Sequence, residues 1–181
     1  MSRFLNRLYR AALLDVDLFR EVVADTQALR QAMIAAFLYS AAAAYGSFGR
    51  VGVVGINIAM VSTLISWYIW VFMTYIVGAR LFPEAQTTPD RKAVVRAMGF
   101  GSSPGLIRLL GLIPGMSSIA LLIATLWMIV SSTAAVKQAL NYTSIYRAAG
   151  VCLVGWILSV FVQLLLLVSL FLVFGVPSKP Y

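Results

Sequence analysis

The sequence predicts an all-α, polytopic helical membrane protein with five transmembrane helices behind an N-terminal amphipathic helix. Three observations carry this reading. Consecutive charged residues bracket four uncharged windows, 31–49, 51–79, 109–136 and 148–178. Each can supply the roughly 20 apolar residues that cross a hydrocarbon core of about 30 Å. Lipid offers the backbone no hydrogen bonds, so such crossings are helical. The composition, 61% hydrophobic and 11% charged, departs from the roughly 25% charged residues of soluble domains. It leaves no room for a separate soluble domain. Finally, the 14 Lys and Arg residues mostly flank the apolar windows.

Residues 1–28 are expected to form an amphipathic, interfacial segment. Phe4, Leu5, Leu8 and Ala12 recur at helical spacing, with Arg3, Arg7 and Arg10 on the wetter side. Leu14, Phe19, Val22 and Val23 make a second apolar stripe. Basic amphipathic helices of this kind lie in the membrane interface. Asp17 is expected to cap the following helical stretch, and Asp25 the first span, since a carboxylate accepts an orphan amide hydrogen bond there.

A single transmembrane domain over 29–174 then follows. The first span, about 29–47, contains the small-residue run Ala41–Ala44, and Gly46, Gly49 and Arg50 mark a turn. The second, about 53–79, gathers Trp67, Trp70 and Tyr75 in its second half, as an interfacial aromatic belt would. Residues 80–96 form a polar connection in which Thr88 and Pro89 read as a helix start. The third span, about 97–113, is short, broken and charged, a kinked crossing or a re-entrant half-helix. The fourth, 116–136, is clean and ends at Lys137, and the fifth covers 150–174 before a short external tail, 175–181.

Orientation separates five crossings from four. With a cytoplasmic N-terminus, five crossings place eleven of the 14 basic residues inside and only Arg50 and Lys179 outside, with Arg108 in the membrane. Four crossings give ten against three. The positive-inside bias favours five. The same bias accounts for the formal charge of +8 through anionic lipid head groups. Nucleic acid is not an expected partner.

Chemistry-bearing patterns are sparse. Histidine is absent, which removes the commonest general base and metal ligand. The single cysteine, Cys152, excludes an intrachain disulfide. No triad, phosphate loop or metal spacing occurs. The expectation is a non-enzyme with no catalytic residues, cofactor or metal. Arg108 is the most informative residue, since a charge at membrane depth is a functional hypothesis by default. It either snorkels to head groups, packs against Asn57, Gln163 or backbone carbonyls, or serves conduction. Gly101–Gly105 and Gly111–Gly115 are both GxxxG spacings around Pro104 and Pro114. They predict close helix packing, with a lipid crevice as the other reading.

The order of pieces resembles the Yip family, small five-span proteins named for interaction with Ypt/Rab GTPases, and is most like its bacterial members. The resemblance rests on Thr74-Tyr75-Ile76-Val77-Gly78, on Arg96-Ala97-Met98-Gly99-Phe100-Gly101-Ser102-Ser103-Pro104 and on Leu109-Leu110-Gly111-Leu112-Ile113-Pro114-Gly115. Trp127 and Ala135-Val136-Lys137-Gln138-Ala139-Leu140 complete it. Roughly residues 30–165 are covered. The resemblance implies a membrane-organising or adaptor protein, working through helix packing and protein partners in a bacterial inner membrane. The Rab-binding role does not carry over, because eukaryotic members have a long cytosolic N-terminal region that about 30 residues here do not match. An accessory subunit of a larger membrane complex, and a lipid or small-solute transporter built on the broken 97–115 region, are the alternatives. Membrane lipids and other membrane proteins are the expected partners.

Overall fold

A computed structural model describes residues 3–87 and 90–174, with side chains for all of these except 48–54 and 170–174. Among the described residues all regular secondary structure is helical, with no strand. The chain forms α1 (Arg3–Ala12), α2 (Val16–Ala24), α3 (Ala28–Gly46) and α4 (Phe48–Ile76), which continues into a π-helical turn, Val77–Leu81. It goes on through α5 (Arg91–Gly101), a 3-10 helix (Ser103–Leu112), α6 (Ser117–Ala139) and α7 (Ile145–Phe174). Among the described residues three helices are long and apolar enough to cross a membrane: Gly55–Leu81, Ser117–Ala139 and Ile145–Ser169, with mean hydropathies of 1.6, 2.1 and 2.7. α3 is not among them. It has the length, but Arg30, Gln31 and a run of alanines stand where leucines would be, and Ala32, Ala35, Ala36 and Ala44 are buried against neighbours.

Paired contacts fix how the helices run. Ser66 donates to Gln163 Oε1 at 2.6 Å, a β-carbon on Gly155 would lie 2.8 Å from Thr74 Cα, and one on Gly78 would lie 3.0 Å from Val151 Cγ1. Numbers rise along α4 as they fall along α7, so the two are antiparallel. The α5–3-10 segment runs with α3, because Gly99 faces Ala32, Gly105 faces Tyr39 and Gly111 faces Gly46. It runs against α6, with Gly101 on Ala135 and Gly105 on Met128. α6 and α7 are packed together and joined by the short 140–144 connection, so they too are antiparallel. Hence α4 and α6 point the same way, and residues 91–112 return the chain between them. At about 1.5 Å per α-helical and 2.0 Å per 3-10 residue, that segment spans about 36 Å.

The 3-10 stretch is unusually long, since such runs seldom exceed three or four residues. Pro104 sits in its first turn without an N–H to donate. The carbonyls freed where α5 ends are taken by hydroxyls: Ser102 Oγ donates to Gly99 O and Ser103 Oγ to Phe100 O, both at 2.6 Å. A narrow 3-10 rod also lets Gly111 abut the Gly46 backbone.

Several sequence expectations are corrected. Asp15, not Asp17, caps α2, accepting from the Asp17 and Leu18 amides. α3 has no side-chain cap, although Asp25 Oδ1 accepts from the Gln27 amide at 3.0 Å. Gly49 lies within α4, so Ser47 alone breaks α3 from α4; the side chain of Arg50 lies outside the described residues. Thr88 and Pro89 also lie outside them; α5 starts at Arg91, and Asp90 caps it by accepting from the Lys92 amide at 2.8 Å. The tail 175–181 is likewise outside. Pro114 and Gly115 do not pack helices: they form an exposed turn. Gly115 has φ +82°, and a β-carbon there would meet nothing within 4 Å, so conformation, not contact, calls for glycine there.

Candidate functional site: a cavity among α4, α6 and α7

A cavity of about 550 Å³ opens between α4, α6 and α7, with Tyr39 of α3 at its edge. Its size falls within the roughly 300–1,000 Å³ of ligand pockets. The lining is graded along the helices. Toward the end carrying Gly46 and Ser117 stand Tyr39, Ser62, Ser66, Thr125 and Gln163. Toward the other end stand Trp67, Trp70, Cys152, Leu153 and Trp156. The gradient follows from register, because α7 runs against α4 and so brings Gln163 to the level of Ser66 and Cys152 to that of Trp70.

Each polar group has a distinct state. The Trp70 indole donates to Cys152 O at 3.3 Å. Thr125 Oγ1 donates to Leu121 O at 2.8 Å, and Ser159 Oγ to Trp156 O at 2.7 Å; hydroxyls satisfied by their own helix ask nothing of a ligand. Gln163 is different. Its Oε1 accepts from Ser66, while its Nε2 donates to no group among the described residues. Trp67 Nε1 is buried and likewise without an acceptor. A buried unpaired donor such as Trp67 Nε1 is uncommon enough to need a reason; Gln163 is half-buried.

Trp67 and Trp70 thus depart from the expected interfacial belt: Trp67 is only 3% exposed, and both form the cavity wall because α7 covers that face of α4. Arg108 is half-buried and donates to Tyr39 Oη at 3.4 Å. It meets neither Asn57, which is exposed on α4, nor Gln163. The predicted packing residues Gly101, Pro104, Gly105 and Gly111 are brought together along α3 and α6. This packing closes the 97–115 break, so the cavity lies elsewhere. Gly46, Gly78, Gly99 and Gly155 pack as tightly. Their facing partners Ala32 and Thr74 were a visible signal only once helix pairing was known.

A second polar assembly sits at the opposite end. α1 and α2 form a hairpin docked on the bundle. Arg7, expected on the wetter side, is 1% exposed. It donates to Glu21 Oε1 at 2.7 Å, Asp25 Oδ2 at 2.8 Å and Gln31 Oε1 at 2.9 Å. Arg10 pairs with Asp15 at 2.7 Å and Glu21 at 2.9 Å, and Arg3, largely exposed, approaches Glu21 at 3.7 Å. The reason is local: two short helices folded back bring the basic face of α1 onto the acids of α2. Arg96 of α5 holds the end of α2, donating to Val22 O at 3.1 Å and Val23 O at 2.6 Å. Trp127 Nε1 donates to Ala12 O at 2.9 Å, and Arg20 Nε to Gln138 Oε1 at 3.2 Å. Trp127 and Gln138 are eleven residues apart on α6, about 16 Å of rise, so the hairpin lies along that length of α6. Nearby, Tyr142 Oη donates to Gly78 O at 2.7 Å, and Glu84 accepts from the Thr143 amide at 2.9 Å.

The hydrogen bond from Arg7 holds Glu21 and Asp25 below the usual carboxylate range, as the one from Arg10 does for Asp15. A depressed folded-state pKa stabilises the fold above the unfolded value and is lost as pH falls through the folded one. Hairpin docking should therefore be constant from neutrality to about pH 5 and weaken progressively as pH falls below the unfolded carboxylate value of about 4. Trp127 fluorescence against pH checks this; loss between pH 7 and 5 would contradict it.

No protein-family model, curated protein or solved structure matches this chain. The fold itself defines a helical bundle in which, among the described residues, three helices are long and apolar enough to cross a membrane, compatible with a membrane-embedded protein. Among the described residues no group of His, Cys, Asp and Glu could hold a metal ion.

Proposed function

We propose that the chain is a five-span, non-enzymatic inner-membrane protein of Yip type that acts as an organiser or adaptor for other membrane proteins. The observation that carries this reading is the consolidation of one end of the bundle into a rigid, basic platform. The α1–α2 hairpin, the start of α5 and the connections after α4 and α6 are tied there by the Arg7, Arg96, Arg20 and Tyr142 bonds. Arg30, Arg80, Arg91 and Lys92 stand exposed around it with no ion pair among the described residues. Such a rim suits anionic head groups and acidic partner surfaces.

Five crossings are supported by the parallel course of α4 and α6. If both span, 91–112 must span between them, and its length of about 36 Å suffices. α3, running parallel to 91–112, is then the first crossing. The basic platform becomes cytoplasmic by the positive-inside bias, and Gly46, Arg108 and Pro114 lie toward the outer face.

Gentle solubilisation, a native gel and mass spectrometry of the band test the proposal. The expected result is co-migration with a defined membrane partner, weakened at least tenfold by combining Arg80→Glu, Arg91→Glu and Lys92→Glu and unaffected by Asn57→Leu. Migration alone, with solute flux in reconstituted vesicles, would replace it with a transporter.

A further inference from the structure

We propose that the α4/α6/α7 cavity is a binding site for one ester-linked membrane glycerolipid, whose ester carbonyl accepts from Gln163 Nε2 while its acyl chain lies along the aromatic wall. This goes beyond the adaptor reading and rests only on the bundle being embedded in lipid.

Four observations converge on that ligand. The volume, about 550 Å³, suits part of a lipid, and the helices that line it carry exposed apolar residues such as Leu126, Val160 and Leu164. The lining is itself amphipathic, with Ser62, Ser66 and Gln163 at one level and Trp67, Trp70 and Trp156 at the next. The boundary between an ester and its chain has the same order. Gln163 supplies a free amide donor there, oriented by the 2.6 Å bond its Oε1 takes from Ser66. An unsatisfied polar group at membrane depth is costly, and a lipid ester is the acceptor that the surroundings hold in excess. Finally, the lining offers no charge, only hydroxyl, amide, indole and phenol groups. A phosphate would find no counter-charge there, which favours the uncharged glycerol-ester region as the part recognised. Trp67, the next residue along α4 from Ser66, keeps an indole N–H without an acceptor on the same helix.

The site discriminates ester from ether linkage, because an ether oxygen is the poorer acceptor. Purified, delipidated full-length protein in detergent is titrated with phosphatidylglycerol diester and with its diether analogue of the same chains, and retained lipid is counted by native mass spectrometry. One diester lipid should be retained, about fivefold more tightly than the diether, the margin of one hydrogen bond. Gln163→Leu should abolish that preference while keeping diether binding, and Ser62→Phe should displace both lipids by filling the pocket. Asn57→Leu, on the exposed face of α4, should change nothing. Equal retention of diester and diether by the wild type overturns the proposal, as does retention unaffected by Ser62→Phe. A free fatty acid held as tightly as the diester overturns the glycerolipid assignment. Melting curves of the two variants must match the wild type; if Gln163→Leu misfolds, the wild-type diester–diether comparison decides alone.

Discussion

Gly99→Leu is expected to abolish the folded bundle. A β-carbon at Gly99 would lie 2.6 Å from Ala32 O and 2.7 Å from Ala32 Cβ. The obstacle is backbone of a buried helix, not the end of a side chain that can swing away. Overpacking in well-packed interiors costs about 1–3 kcal/mol where neighbours can shift; here α3 would have to separate from α5, and with it the Gly105–Tyr39 and Gly111–Gly46 contacts further along. More than about 3 kcal/mol is expected, enough to exhaust the stability of many domains. Gly101→Ala is the control, since a β-carbon there meets Ala135 Cβ at an ordinary 3.4 Å. Size-exclusion in mild detergent checks the pair. A monodisperse Gly99→Leu protein would show that α3 and α5 are not in this register.

Arg7→Ala is expected to release the hairpin, with a loss of about 3 kcal/mol. The substitution leaves Glu21, Asp25 and Gln31 without their common donor. Removing one partner of an enclosed ion pair costs about 3–5 kcal/mol, and the lower bound applies because Glu21 and Asp25 retain 36% and 23% side-chain exposure. Arg7→Lys keeps the charge but not the forked geometry that spans three acceptors, so an intermediate loss is expected. Limited proteolysis at the Leu13–Asp15 turn reads the release directly. Cleavage of Arg7→Ala at the wild-type rate would contradict the network's role.

The helices that sequence reasoning placed best were those with a single cause. α6 and α7 carry their charges, Lys137 and Arg147, only near one end, and hydropathy alone defines them. The 97–113 stretch was recognised as broken from Pro104 and its glycines, but its form was not legible. A 3-10 rod there depends on Gly46, on another helix, leaving room for Gly111. Arg7 shows the same limit for charge. Helical spacing put it beside Arg3 and Arg10, on a face that looked wet. Only the return of α2 turned that face inward, and the pattern of acids at Asp15, Glu21 and Asp25 did not by itself reveal the fold-back. Trp67 and Trp70 looked like a belt because their depth was judged along α4 alone, before α7 was known to cover them. The cavity was unreadable for the same reason, being made by register between Ser66 and Gln163, distant in sequence. Cys152 is buried, with Sγ 3.7 Å from Ser132 O.

The most direct test of the account is the sidedness of three exposed positions in intact cells. In a Cys152→Ser background, Leu81→Cys, Ile113→Cys and Tyr146→Cys are each probed with a membrane-impermeant maleimide, before and after permeabilisation. Five crossings require Ile113→Cys to react in intact cells, and Leu81→Cys and Tyr146→Cys to react only after permeabilisation. Labelling of Leu81→Cys and Ile113→Cys from the same face would mean that 91–112 does not cross, contradicting the topology on which the proposed function rests.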